Sequence, residues 1–243
     1  MPRNLEPPNG DSNDWDVLYL ARGDEEVVVH RPFLTGDIFA GVTVQAPRSS
    51  PKTKDVMIIQ HPCAMRPNGV DLASSILVAE VHRFPVLTAD KWSGSGKLMP
   101  LPGLLAGVTS NRKNQAAFFD DTYHVHPLDL TRRIACLSLR GVNLLLQRWV
   151  YHSSRVIVPS FDFDSAVTPV YEQADIIEEW CEIAMDAGRT LEEANNDAHA
   201  WLREVDQGRT REKALEEPQF RPLIRRGARM AASKWRAPSP PSD

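Results

Sequence analysis

From Trp15 to about Pro159 the chain is a succession of short apolar runs, each cut off by turn residues. That alternation restricts the fold more than any other feature of the sequence. The runs are Asp16–Arg22, Glu26–His30, Asp37–Val44, Val56–Gln60 and Ser75–Val81, rich in the branched and aromatic residues that fit a pleated sheet. Gly23-Asp24 separates the first two, Thr35-Gly36-Asp37 starts the third, and Pro67-Asn68-Gly69 follows the fourth. No helical periodicity intervenes among them, so an antiparallel barrel or curled sheet is expected rather than βαβ units. Ala116–Phe119 and Thr122–His126 read as two further strands joined by a tight turn at Asp120-Asp121. Gly94–Gly96 and Gly103–Gln115 read as irregular surface loops.

Leu137, Val142, Leu145, Leu146 and Trp149 recur at helical spacing, and Ser138 is placed to cap the run, which predicts one helix over 139–152 packed on the barrel. Beyond it, Arg155–Pro159 reads as a strand or an extended exit. The last third is helical. Thr168-Pro169 offers a helix start, and Ile176, Ile177, Trp180, Ile183, Ala184 and Ala187 make one apolar face that Gly188 ends. Thr190 to Glu193 spells a capping box for a second helix. Thr210 caps a third piece, broken at Pro218 and resumed from Pro222 to Trp235. The expected class is α+β: a flexible lead-in at 1–14, an antiparallel β-barrel with one embedded helix at 15–159, a helical module at 160–236 and a disordered tail at 237–243.

At 243 residues and 42% hydrophobic content the chain can bury one substantial core plus a smaller appended one. A net charge of −4 gives no global attraction for phosphate, so any nucleic-acid contact has to come from a local basic surface. Three scattered cysteines make no disulfide framework, and no run has the roughly 20 apolar residues of a membrane span or the core of a signal peptide. A soluble, cytoplasmic protein with no membrane partner is expected.

Three segments in order resemble the PemK/MazF toxin barrel. They are Thr35–Phe39, then the apolar strand Asp55–Gln60, then Asp129–Ile134 opening the helix from Leu139, with Arg133–Gly141 in the place of that family's late motif. The resemblance covers roughly residues 33 to 152. It implies an SH3-like fold, metal-independent endoribonuclease action on single-stranded RNA, an antitoxin-like protein partner and a homo-oligomer. The sequence differs from the family where Thr53-Lys54-Asp55 replaces an Arg-Pro pair and where the strand ends in His61-Pro62-Cys63 instead of Ser or Thr.

Cleaving RNA without a metal takes a base for the 2′-hydroxyl, an acid for the leaving oxygen and a cation for the phosphate. His61 is the candidate base, His82 or His124 the acid, and Arg66 or Arg83 the phosphate clamp. Against this stands a plainer reading, in which His61 and His82 are strand-end residues satisfied by backbone hydrogen bonds. His124 and His126 share a strand face and, with His61 or Cys63, have the donor types of a zinc site. Their spacing matches no zinc pattern, so no metal and no cofactor are expected.

The block Arg221, Arg225, Arg226 and Arg229 is basic, while the preceding helices carry Glu172, Asp175, Glu178, Glu179 and Glu182. Such arginines either contact nucleic-acid phosphates or neutralise the acidic helices, and proximity in sequence favours the second use slightly. The competing function is a non-enzymatic interaction protein that binds a partner through this acidic hairpin and basic tail.

Overall fold

The computed structural model describes residues 4–8, 15–23, 30–45, 50–68, 71–105, 114–206 and 208–235. They form two compact units. One comprises the described residues of Met1–Val27 and Phe33–Asp164, the other those of Val28–Pro32 and Ser165–Asp243.

The first unit is built on an antiparallel sheet of seven strands: β1 (Tyr19–Arg22), β2 (Ile38–Val44), β3 (Lys52–Ile58), β4 (Ile76–Arg83), β5 (Leu98–Leu101), β6 (Gln115–Val125) and β7 (Arg133–Leu137). Their order across the sheet is β1-β7-β2-β3-β4-β6-β5. Side chains on one face of β2, β3, β4 and β6 (Phe39, Val42, Val56, Ile58, Ile76, Val78 and Val125) form a cluster with Met65 and Leu130. Two short helices, α1 (Pro62–Met65) and α2 (Ala89–Trp92), lie in the connections.

The barrel expected from the sequence is not closed by a backbone ladder. The outer strands β1 and β5 are linked instead by side chains: Tyr19 donates its hydroxyl to the Pro102 carbonyl at 3.0 Å, and Arg22 donates to the Gly103 carbonyl at 3.2 Å. β5 is four residues long, and Pro100 and Pro102 have no N–H to give, so a further rung is unavailable there.

Other expectations shift for equally local reasons. Of the predicted strand Glu26–His30, residues 26–29 lie outside the described residues and His30 is in a turn. β3 begins at Lys52, four residues before the apolar run. The predicted turn at Asp120-Asp121 is the interior of one strand of 11 residues, β6. Against β4 the register jumps from Ala79↔Thr122 to Glu80↔Phe118, so Phe119 to Asp121 make a bulge. Asp120 there faces Lys97 and His152 at 3.6 Å each. Of the predicted surface loops, Gly94–Gly96 reaches the interior at Gly96, which lies under the Tyr151 ring, and Gln115 opens β6; between the two loops Leu98–Leu101 is a strand that the sequence reading does not anticipate. Residues 106–113 lie outside the described residues.

Helix α3 (Leu139–Ser154) starts where Ser138 accepts the Gly141 N–H and ends at Arg155 in the left-handed conformation, followed by an extended exit and not a strand.

Residues 4–8, the described part of the expected lead-in, are packed on the first unit. Leu5 is 2% exposed, and Glu6 is tied to α3 and to Ser160. Its carboxylate accepts from the Ser160 N–H (2.9 Å), the Ser160 hydroxyl (2.6 Å), Gln147 (3.0 Å) and Arg140 (3.3 Å). Its own N–H donates to Gln147 at 2.7 Å. Composition read this segment as too polar to order, yet one carboxylate with four donors supplies what apolar area does not. Burial raises the Glu6 carboxyl, but the Ser160, Gln147 and Arg140 donors outweigh it and hold the group below its ordinary range. A depressed folded-state pKa gives stability that is present above the unfolded value and lost as pH falls through the folded one. Acidification below about pH 4 is therefore expected to release residues 4–8 before the sheet unfolds, read as early loss of protection at the Glu6 and Ser160 amides. A Glu6→Gln variant is expected to show no such acid step.

The second unit contains α4 (Asp164–Asp186), α5 (Leu191–Arg203), a small hairpin of β8 (Val205–Asp206) and β9 (Arg209–Thr210), α6 (Arg211–Ala214) and α7 (Arg221–Ala232). α4 starts four residues before the predicted Thr168, directly after a 3-10 turn at Ser160–Phe163, so Pro169 falls inside its second turn. Gly188 has φ +83°, and the Arg189 N–H returns to the Ala184 carbonyl at 3.0 Å, closing the helix. The Thr190–Glu193 capping box is present in both directions. α5 ends at Arg203, before the predicted Gly208. Ile176, Ile177, Trp180, Leu202, Leu215 and Ile224 lie in one core, with Trp201 and Trp235 against Trp180. The predicted tail, 237–243, lies outside the described residues, as does residue 236.

Candidate active site

β3 carries its chain to the His61-Pro62 corner, where proline ends the ladder and starts α1. The Cys63 N–H donates to His61 Nδ1 at 3.3 Å, so the imidazole serves as the N-cap. Burial lowers its pKa, which suits a ring nitrogen that has to stay unprotonated to accept. His126 repeats the device before Pro127, accepting the Leu128 N–H at 3.2 Å. Arg66, the candidate clamp, donates to the Phe33 carbonyl at 3.0 Å. Burial and the neighbouring Arg133 lower its pKa while Asp37 opposes them. It is a half-buried arginine that ties the corner to the segment leading into β2.

His82 and Arg83 lie elsewhere. Gln60 accepts the Leu77 N–H at 2.7 Å, so His61 sits beside the start of β4, whereas His82 is at its end. At about 3.3 Å per residue the two are roughly 20 Å apart and cannot act on one phosphate. His124 pairs with Leu77 and bonds Ser75 at 3.0 Å, which also separates it from His82. Among the described residues no group of three or more His, Cys, Asp or Glu could hold a metal ion.

The structure gathers a different set around His82. Alternation along β4 puts Ile76, Val78, Glu80 and His82 on one face, where the first two join the apolar cluster and the last two continue it toward solvent. Glu80 is 8% exposed. It accepts from Lys54 Nζ at 2.7 Å and from the Tyr123 hydroxyl at 3.1 Å. Register pairs Asp55 with Val81, so one further step sets Lys54 opposite His82. The His82 ring stacks on Phe118 at 3.8 Å and 7°, and Phe84 meets Phe118 edge-on at 5.8 Å.

The Glu80 carboxylate raises the Lys54 pKa by hydrogen bond and charge, keeping the ammonium protonated. Burial first, and then Glu80, raises the Tyr123 phenol. One face thus holds an acceptor, an exposed imidazole, a fixed cation and stacked rings. Lys54, Glu80, Tyr123 and Phe118 are absent from the sequence-level candidates. Their signal there is the polar pair Glu80 and His82 breaking an otherwise apolar alternation.

No family model matches the chain, and no curated protein matches it. Among solved structures it aligns with the Mycobacterium tuberculosis toxin MazF-mt6 at 17% identity, over 51% of this chain and 96% of that one, with a TM-score of 0.31. A superposition at that level carries no argument. What is established is a mixed fold with a large antiparallel sheet and several helices, none of them, among the described residues, long and apolar enough to cross a membrane.

The arginines assigned to phosphate are largely committed within their own unit. Arg225 bonds Glu172 at 2.6 Å and Asp175 at 2.7 Å, Arg229 bonds Glu179 at 2.5 Å, and Arg221 donates to the Leu215 carbonyl at 2.8 Å. Arg31 adds ion pairs to Asp175 (2.8 Å) and Glu178 (2.6 Å). The neutralising alternative fits Arg225 and Arg229 better than phosphate contact does, while Arg221 ties to backbone. Arg226 is exposed.

Proposed function

We propose that this protein binds single-stranded RNA on the Glu80–His82 face and cleaves it without a metal ion. The observation that carries the proposal is that one carboxylate, one imidazole and one ammonium share a sheet face beside stacked rings. Glu80 takes the 2′-hydroxyl proton, and the freed 2′-oxygen attacks phosphorus. The bond to the 5′-oxygen breaks, leaving a 2′,3′-cyclic phosphate, and His82 in its imidazolium form gives the leaving oxygen its proton. Lys54 balances the charge that builds on the phosphoryl oxygens. Tyr123 orients Glu80, and Phe118 with Phe84 offers the flat apolar surface on which unpaired bases stack.

The PemK/MazF-like motifs at Thr35–Phe39, Asp55–Gln60 and Asp129–Ile134 point to the same reaction class. On that resemblance we extend the proposal to an SH3-like wall, a homo-oligomer and an antitoxin-like protein partner. Three free cysteines fit a cytoplasmic setting.

The test is incubation of the protein with a labelled single-stranded RNA in EDTA. Cyclic-phosphate ends are expected, with rates lowered about 100- to 10,000-fold in His82→Ala and in Glu80→Gln. His61→Ala is expected to cleave like the parent, because His61 is a cap. RNA that survives at high protein concentration, or His82→Ala that cleaves at the parent rate, overturns the reading.

A further inference from the structure

The second unit carries a groove of about 470 Å³ that the proposed RNA chemistry does not use. Its floor is Trp201, Ala214, Ile224 and Gly227, and its open rim includes Leu223 and Met230, which are 60% and 70% exposed. On α7 the positions 223, 227, 230 and 231 follow helical spacing, so the apolar stripe is continuous. From residue 220 to 231 it is about 16 Å long at 1.5 Å per residue, the length of a three-turn helix. Gly227 keeps the floor low: a Cβ there would sit 3.3 Å from Trp201 Cζ2. The opposite wall is the β8–β9 hairpin, braced by Arg211 over the Trp201 ring at 4.3 Å and Arg209 over Phe220 at 4.2 Å.

We propose that this groove docks an amphipathic helical segment of a partner protein, with apolar residues at i, i+4 and i+7 and acidic residues along one flank. Charge decides the flank. Helical geometry sets Arg226 beside Leu223 and Met230 on the outer margin of the stripe, where it is exposed and takes no part in the ion pairs that tie Arg225 and Arg229 to α4. Arg209 and Arg211 on the far wall are already held by Glu217 and Glu204, so the cation that calls for a partner lies on the α7 side. A half-open trough with a flexible methionine on its rim suits a helix face better than a small enclosed molecule.

The probe is a fluorescein-labelled, helix-forming peptide of about four turns with leucines at that spacing and glutamates on one flank, titrated with the full chain. A saturable rise in anisotropy is expected. Leu223→Asp is expected to weaken it about tenfold or more, and Arg226→Glu by about three- to tenfold. A peptide with lysines in place of the glutamates is expected to bind about tenfold more weakly. Both substituted residues are exposed, and circular dichroism checks that the variants stay folded. No saturable binding, equal binding of the lysine peptide, or parent-like binding by Leu223→Asp overturns the proposal. So does sedimentation that reveals a dimer abolished by Leu223→Asp, since a second copy of the chain would then fill the groove. RNA cleavage is measured in parallel, and its loss or survival leaves this result unaffected.

Discussion

Arg148→Ala is expected to destabilise the first unit by about 3 kcal/mol, read as a lower urea midpoint with an unchanged slope. Arg148 is 0% exposed on the inner side of α3. Its guanidinium donates to the carbonyls of Leu144 (3.3 Å), Glu6 (2.8 Å) and Trp92 (3.3 Å), and lies 4.8 Å over the Trp92 ring. No carboxylate among the described residues bonds it, and burial pushes its pKa down to about 9, with Glu6 as the opposing charge. The group is still a cation at neutral pH. Truncation removes the stem from a packed site and takes the guanidinium donor from the Glu6 carbonyl, while the Trp92 carbonyl keeps the Ser95 N–H and the Leu144 carbonyl keeps its helical bond. Relief of the buried charge offsets part of that loss, which keeps the expected value below the sum of the two costs. Arg148→Met separates the contributions because it keeps the volume and loses the donors. It is expected to cost about half as much, and a methionine variant as stable as the parent would refute the account.

Gly141→Ala is expected to cost about 2–4 kcal/mol, although alanine is the better helix former by about 1 kcal/mol at an exposed site. A Cβ at this position would lie 2.3 Å from the Leu18 carbonyl oxygen and 3.1 Å from the Leu137 Cβ. The first contact is with backbone, so α3 would have to move off the segment that leads into β1. That segment is also where Ser138 donates to the Val17 carbonyl at 2.5 Å, so the shift would disturb the helix cap. Gly94 is the control. Its Cβ would meet nothing closer than 3.9 Å, and Gly94→Ala is expected to melt within a degree or two of the parent. Equal melting temperatures for the two alanine variants would show that the close approach at Gly141 is not needed.

The features legible in the sequence are those written within a few residues of one another. Ser138 caps α3, Thr190 and Glu193 cap α5 reciprocally, and Thr210 caps α6, each by accepting an N–H three positions on. The His61 corner is equally local, and there the imidazole caps α1. The spacing of the candidate histidines is not local. His61 and His82 lie 21 positions apart in sequence, and only the antiparallel pairing of β3 with β4 sends them to opposite ends of the same ladder. Glu80 drew no attention because a glutamate in a strand reads as a solvent-facing residue until Lys54 and Tyr123 are brought across from neighbouring strands.

By itself, then, the chain determined much of its local structure: that the runs at β1, β2, β3 and β4 are strands, that α3 and α5 start after Ser138 and Thr190, that α4 stops before Gly188, and that a sheet precedes a helical part. Those outcomes follow from backbone stereochemistry, periodicity and capping, which act over three or four residues. Tertiary structure alone decided that β6 runs through Asp120-Asp121, that residues 4–8 are held on α3, that Arg225 and Arg229 serve α4, and that Glu80, His82 and Lys54 meet. Each of these depends on charged or hydrogen-bonding groups distant in sequence meeting in one place, and register and packing, not local propensity, set that meeting.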